Sequence, residues 1–488
     1  MSRRGWGRRS RWGHGVEQVQ RDPSDLLSFS DCQMADRRHT VNVAVAGCRT
    51  GSRQEGSAPL ASREALLTSW SGMDMTDITT EATEWFQHHW DPAMPLGDWW
   101  RLLADSGFAF PQWPEGFGGR GLSGRDAKAV HEARRAVGAY GPPNGVATFL
   151  VAPTLLVMGT PEQQQCYLPG IVDGTTPWCQ LFSEPTAGSD MASLGTRAVK
   201  DGDEWTVSGQ KVWNSGAHYA KYGILIARTD PDAPKHRGVT YFLIDMTQPG
   251  VDVRPLREMT GDAAFNEVFF DDARVHDSDR VGAEGDGWRI AMTTLSFERD
   301  PGNAGLGDTA AFYEADLTVP VGEHAEREKA AADGFSIAMS GRAGEVFDGA
   351  LASGLKRSRD PVLRDRLARL HVDRTVVGLT GRRGAANMKA TGQPGPEIAG
   401  LKITGTETGR NVRDIGLEAL GAAGMLWGDD VPDGGLFHRY AMFTPAQSIA
   451  GGTDEVFRNS IGERVLGLPR EPDEAERRET PWKDLRRS

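Results

Sequence analysis

The segment Ser183-Glu-Pro-Thr-Ala-Gly-Ser-Asp190 gathers hydroxyls, carboxylates and backbone N–H groups in a short Gly/Pro loop. Such a loop suits an anionic or heteroaromatic ligand, because N–H groups and hydroxyls converge where few side chains block them. A tight structural turn accounts for the same residues equally well. A second glycine-rich stretch, Gly119-Arg-Gly-Leu-Ser-Gly124, satisfies G-x-G-x-x-G. A dinucleotide fingerprint must follow a strand inside a βαβ unit. Here a Pro/Gly loop precedes it in a helical region, so we read it as a connection between helices. The four cysteines, Cys32, Cys48, Cys166 and Cys179, form no C-x-x-C pair and no Cys/His cluster with zinc spacing. They fit free thiols in a reducing cytoplasm, and no metal site is expected.

The elements that must position the Ser183–Asp190 loop change character around it. Residues 76–178 read as helical. Asp77–His89 is a first helix, and Asp98 is expected to cap a second that Gly107 ends. Thr160-Pro-Glu-Gln163 has the form of a capping box with proline at the first helical position. Residues 179–286 read as strands, with β-type runs from Trp205, over Tyr222–Ala227 and Val239–Ile244, and at Val268–Phe270. This middle block is expected to be a barrel or sandwich. From Gly287 to 468 helices return, with Asp360–Ala386, Gly400–Ala419 and Thr453–Val465 as candidates. The fold class is therefore α+β multidomain: an N-terminal helical domain, a middle β-barrel or sandwich, and a C-terminal helical bundle. The loop lies where the first two meet, a common place for a ligand.

Three stretches fall outside this scheme. Residues 1–75 are Arg-rich at the start and lack periodicity, and no apolar run follows Arg3-Arg4 or Arg8-Arg9. They are expected to be disordered or a non-native extension, with Met73 and Met75 as alternative starts. The stretch 300–335 reads as a loop or insertion, and 469–488 as a solvated charge run. The whole chain of 488 residues has a net charge of −12 and a pI near 5.5, with 39% apolar residues. That is enough for a sizeable core, and it argues against a nucleic-acid surface, which needs clustered cations. No apolar run is long enough to span a membrane.

Gln180–Ala198 resembles the flavin-contacting loop of the acyl-CoA dehydrogenase family. Further segments resemble the same family in the same order: Trp113–Gly119, Gly209–Ser215, Phe269–Val275 and Gly452–Arg458. Together they span residues 76–468. The resemblance implies bound FAD and an acyl-CoA substrate, with Phe182 and Ser183 at the flavin ring. It puts Trp213 against the isoalloxazine, with Asn214 and Ser215 beside it. Thr453 and Glu455 would bind the cofactor's tail, Gly421 would lie in an imperfect match to a Gly-rich cofactor segment, and Ser189 would contact the CoA portion.

The reaction implied is α,β-dehydrogenation to a trans-2-enoyl-CoA. A carbon acid is weak, so a desolvated carboxylate with a raised pKa is needed as base. In most of the family that glutamate immediately precedes the Gly-Thr of the last motif, a position held here by Gly451. A minority, including isovaleryl-type enzymes, carries it on an earlier helix before an arginine. Ser296-Phe-Glu-Arg299 matches that pattern, which makes Glu298 the expected base and Arg299 a support for helix or substrate, with Gly452 on the substrate side. Asp300-Pro-Gly302 is expected to break that helix. The implied partners are an electron-transfer flavoprotein and further subunits in a homo-dimer, homo-tetramer or hetero-oligomer. An oxidase or monooxygenase on the same fold, and a catalytically silent partner subunit, are the alternative readings.

Overall fold

The computed structural model describes residues 75–261, 263–298, 314–331, 343–356, 359–391, 395–427, 430–431, 435–471 and 474–485. The expected N-terminal extension up to residue 74, Arg299 and the Asp300-Pro301-Gly302 break lie outside the described residues.

The helices α1 (Met75–His89), α2 (Leu96–Ser106), α3 (Gly124–Val137), α4 (Ala152–Met158) and α5 (Pro161–Val172) come first. At α5 the capping box closes: Thr160 Oγ1 accepts from the Gln163 N–H at 3.2 Å, and Gln163 Oε1 from the Thr160 N–H at 3.1 Å. Gly107 ends α2 in the left-handed region at φ 72°. Asp98 is not the cap of α2. The helix starts two residues earlier behind Pro95, and Asp98 sits in the first turn, paired with Arg101 at 3.0 Å. Gly119–Gly124 is loop up to the start of α3, which Ser123 caps, so no βαβ unit surrounds the G-x-G-x-x-G match. Phe86, Trp99, Leu103, Phe108 and Val130 form the core of this block.

The strands β1 (Trp178–Leu181), β2 (Arg197–Asp201), β3 (Glu204–Val212), β4 (Tyr222–Arg228), β5 (Val239–Asp245), β6 (Val251–Leu256), β7 (Phe265–His276) and β8 (Arg280–Val281) form one sheet. Its order is β6-β7-β3-β2-β4-β5-β8, with β1 parallel to β4. β4 and β5 are buried on both faces, which is why their sequences show no polar alternation. Ile224, Ile226, Tyr241 and Leu243 pack with Leu155, Leu168 and Ile290 of the helical layer. Leu225, Ala227, Phe242 and Ile244 face the other way, into a core shared with Trp205 and Val207 of β3 and Val268 and Val275 of β7. One half of the sheet thus folds over the other.

The later helices are α6 (Gly287–Glu298), α7 (Val321–Ala331), α8 (Ala343–Lys356), α9 (Pro361–Thr391), α10 (Glu397–Leu420), α11 (Leu436–Gln447), α12 (Asp454–Ser460) and α13 (Glu474–Glu479). Val346, Phe347, Leu367, Leu370, Val412, Ile415 and Phe437 unite α8 to α11 in a bundle core. Residues 314–331, from the stretch expected to be a loop or insertion, clasp the N-terminal helices. The Leu96 and Gly97 N–H groups donate to Val319 O and Leu317 O at 2.9 Å, and Val321 joins the Trp99 core. The end of the chain also departs from expectation. Residues 469–471 and 476–479 are exposed, as a solvated run would be, but residues 481–485 lie along the loop Pro231–Pro234 of the β-domain. No described helix is long and apolar enough to cross a membrane.

Candidate active site

A buried ion pair fixes the loop that follows β1. Glu184 and Lys211 meet at 2.8 Å, with side chains 6% and 0% exposed. Glu184 also accepts from the Gly195 and Thr196 N–H groups at 2.7 and 2.9 Å, and Lys211 Nζ also donates to Phe182 O at 3.0 Å. Burial pushes the Glu184 carboxyl up. The Lys211 ammonium and these N–H donors outweigh it, so the group is held below the usual carboxylate range and stays ionised. Sequence reasoning missed this pair. Its signal was a lysine in phase with Trp205 and Val207, at an inward position of β3.

The same pair draws two chain segments into one corner. The Val212 N–H donates to Ser183 O at 3.0 Å, so Phe182 and Ser183 neighbour Trp213, Asn214 and Ser215. Asn214 is buried. Its N–H donates to Asn266 O at 3.1 Å and its Nδ2 to Gln180 O at 2.7 Å. Trp213 lies between these anchors at φ 64°, a left-handed backbone rare for a bulky residue, and its side chain is 58% exposed. Such strain persists where the surroundings over-determine it, and it concentrates at ligand sites. The indole stands edge-to-face with Phe265 at 5.7 Å and leaves a flat apolar plate open. The Phe182 ring points away, into the core against Tyr241 at 5.9 Å. Ser189 lies further along the loop and is exposed, while the adjoining Asp190 pairs with Lys235 at 2.7 Å.

Helix α6 packs on β5 and α4, with Ile290 and Ala291 in the core beside Tyr241 and Leu155. Buried hydroxyls tie it down: Thr294 Oγ1 lies 2.9 Å from Thr154 Oγ1 of α4 and 3.2 Å from the Tyr241 hydroxyl of β5. Glu298 is the last residue of α6, one turn beyond Thr294.

The remaining expected residues sit on the C-terminal bundle. Gly421 ends α10 at φ 59°. Gly451 and Gly452 form a turn with φ 68° and 103°. Thr453 caps α12 by accepting from the Val456 N–H at 3.2 Å, and Glu455 is exposed beside Arg458. Arg410 of α10 holds this turn, donating to Ser448 Oγ at 2.5 Å and to the buried Asp454 at 3.0 Å.

Comparison with known proteins agrees with this architecture. The family models of the acyl-CoA dehydrogenase N-terminal, middle and C-terminal domains match residues 66–175, 179–273 and 336–466. Acyl-CoA dehydrogenase IpdE1 of Mycobacterium tuberculosis is 40% identical over 379 residues, covering 76% of this chain and 88% of that protein. Acyl-CoA dehydrogenase FadE34 of the same organism is 38% identical over 75% of this chain, a match that spans 46% of its own length. Among solved structures, the assembly titled Tcur3481-Tcur3483 steroid ACAD is similar with a TM-score of 0.60 at 25% identity, over 82% of this chain and all of that one. The ChsE4-ChsE5 complex from Mycobacterium tuberculosis gives 0.57 at 26%, over 83% and 100%.

The chain belongs to the acyl-CoA dehydrogenase family. It is an oxidoreductase that dehydrogenates acyl-CoA esters with FAD as cofactor. The corner at Trp213 fits such a group. It offers an exposed indole for a planar ring, and the buried Gln180 Nε2 and Asn214 Oδ1 have no hydrogen-bond partner among the described residues.

Proposed function

We propose that the reaction is α,β-dehydrogenation of an acyl-CoA to a trans-2-enoyl-CoA, with Glu298 as the base that takes the proton from the α-carbon. The observation that carries this is the pairing of Gly451 with Glu298. A glutamate at 451 would have to adopt a left-handed backbone at φ 68°, which costs a side-chain-bearing residue on the order of 1 kcal/mol. Glu298 stands instead at the end of α6, a helix anchored one turn earlier by the Thr154–Thr294–Tyr241 hydroxyls.

When bound, FAD supplies the acceptor for the hydride that leaves the β-carbon. Trp213 would pack on its ring, with Phe182, Ser183, Asn214 and Ser215 around the same corner, Phe182 through its backbone. Gly421, Thr453 and Glu455 would hold the rest of the cofactor. Ser189 would hold the CoA portion, and Arg299 and Gly452 are assigned to the substrate. We assign an electron-transfer flavoprotein as the electron acceptor and the cytoplasm as the location.

The site residues are divided between the β-domain and the bundle, and α9 leaves Val372, Val376 and Leu379 exposed at 57, 48 and 53%. Spaced at i, i+4 and i+7, they form a stripe that a further subunit would cover. A second copy gives the homo-oligomer. The likeness to ChsE4-ChsE5 and to Tcur3481-Tcur3483 supports a two-component assembly as the second reading.

Anaerobic titration of the purified flavoprotein with a panel of acyl-CoA esters tests the reaction, with steroid acyl-CoA esters included. Loss of the oxidised flavin spectrum and a product two hydrogens lighter are expected for one ester class. A flavin that stays oxidised with the whole panel, or one reoxidised rapidly by air with peroxide release, contradicts the proposal.

A further inference from the structure

The chain's last described segment reaches the substrate loop. Trp482 and Lys483 donate their N–H groups to Ala233 O and Pro231 O at 3.0 and 3.1 Å, and Pro481 bridges to Pro234. Arg237 pairs with Glu479, and Lys483 with Asp232. The half-buried Trp482 turns its indole N–H onto Ser193 O at 3.2 Å.

Its ring lies under the guanidinium of Arg228, whose Cζ is 4.6 Å from the ring centroid. Arg228 is 3% exposed and is held by backbone carbonyls. Nη2 donates to Ala192 O at 2.6 Å and Leu194 O at 3.3 Å, and Nη1 to Lys235 O at 2.9 Å. The short turn Met191–Ser193 is thus clamped between Arg228 and Trp482. At its other end the loop is fixed by Glu184 and Lys211. Between these anchors Ala187 is buried and exchanges backbone hydrogen bonds with Glu184, so the exposed Gly188 and Ser189 hang between Ala187 on one side and Asp190 with the clamped turn on the other.

We infer that Trp482 is a positioning residue of the substrate site: residues 481–485 strap the Met191–Ser193 turn and so set the place of Ser189 against the CoA portion of the substrate. The inference rests on the assignment of Ser189 to CoA made above. It gives the chain end a function in substrate affinity rather than in the chemical step.

The test uses the full-length holoprotein, with free coenzyme A as probe. Calorimetric titration gives its Kd, flavin absorbance per chain gives cofactor content, and hydrogen exchange is read on peptides covering Asp190–Gly195. Trp482→Ala loses both the hydrogen bond and the cation–π contact. The Kd for coenzyme A is expected to rise about ten-fold, with faster exchange at Asp190–Gly195 and unchanged flavin content. Trp482→Phe keeps a ring under Arg228 and should show a rise of roughly two- to three-fold. It also decides the matter if the alanine variant does not fold. Wild-type Kd and exchange in Trp482→Phe, or in a folded Trp482→Ala, overturn the strap. So does a fall in flavin content that matches the loss of affinity. Exchange is measurable without turnover. A wild-type protein that binds no coenzyme A, with Trp482 variants that still show the faster exchange, would refute the Ser189 assignment and leave the strap standing.

Discussion

Replacing Lys211 by methionine removes the ammonium while keeping most of the side-chain volume. Glu184 then stays buried with its Gly195 and Thr196 N–H donors, and Phe182 O loses a donor. Removing one partner of a buried pair costs about 3–5 kcal/mol. The two surviving N–H bonds put the cost at the lower end, ~3 kcal/mol. Because Ser183 and Trp213 flank the pair, the loss should appear both in the urea midpoint and in flavin retained per chain. Adding Glu184→Gln removes the stranded charge and should recover about 1–2 kcal/mol.

The pH dependence follows from the direction of the shift. Glu184 is held below its ordinary value, so its contribution is present above about pH 4.3 and is lost as pH falls through the folded-state pKa. Without Lys211 burial dominates and raises that pKa, so Lys211→Met should release flavin at a higher pH than the wild type. A Lys211→Met protein with the wild-type midpoint and flavin content, or a double variant no better than the single one, would refute the reasoning.

Trp213→Gly separates stability from cofactor binding. Relief of the left-handed strain should keep or raise the unfolding midpoint, by on the order of 1 kcal/mol, while loss of the indole weakens flavin affinity about ten-fold in a fluorescence titration. A parallel loss of stability would contradict the assignment of strain. Val376→Arg on the exposed α9 stripe should shift sedimentation toward the single chain and lower flavin content. An unchanged assembly would show that another face carries it.

Local chemistry made much of the fold legible. Thr160 and Gln163 announced α5, and Tyr222–Ala227 and Val239–Ile244 mark β4 and β5 closely, because caps and doubly buried strands are written in short-range pattern. Asp98 misled because its charge suits a first turn as well as a cap. The clasp of residues 314–331 on α2 and the docking of Trp482 on Ser193 join segments far apart in sequence through backbone carbonyls, which leave no trace in residue type. At the site, Trp213 and Asn214 came from resemblance alone. The strained backbone at Trp213 and the Glu184–Lys211 pair that support them need coordinates.

The central claim, that Glu298 is the base and Gly451 leaves its position empty, is tested most directly by rapid anaerobic mixing of Glu298→Gln with an acyl-CoA ester that reduces the wild-type flavin. The account predicts unchanged flavin content and a reduction rate about 10²–10⁴-fold slower. Reduction at the wild-type rate would contradict it.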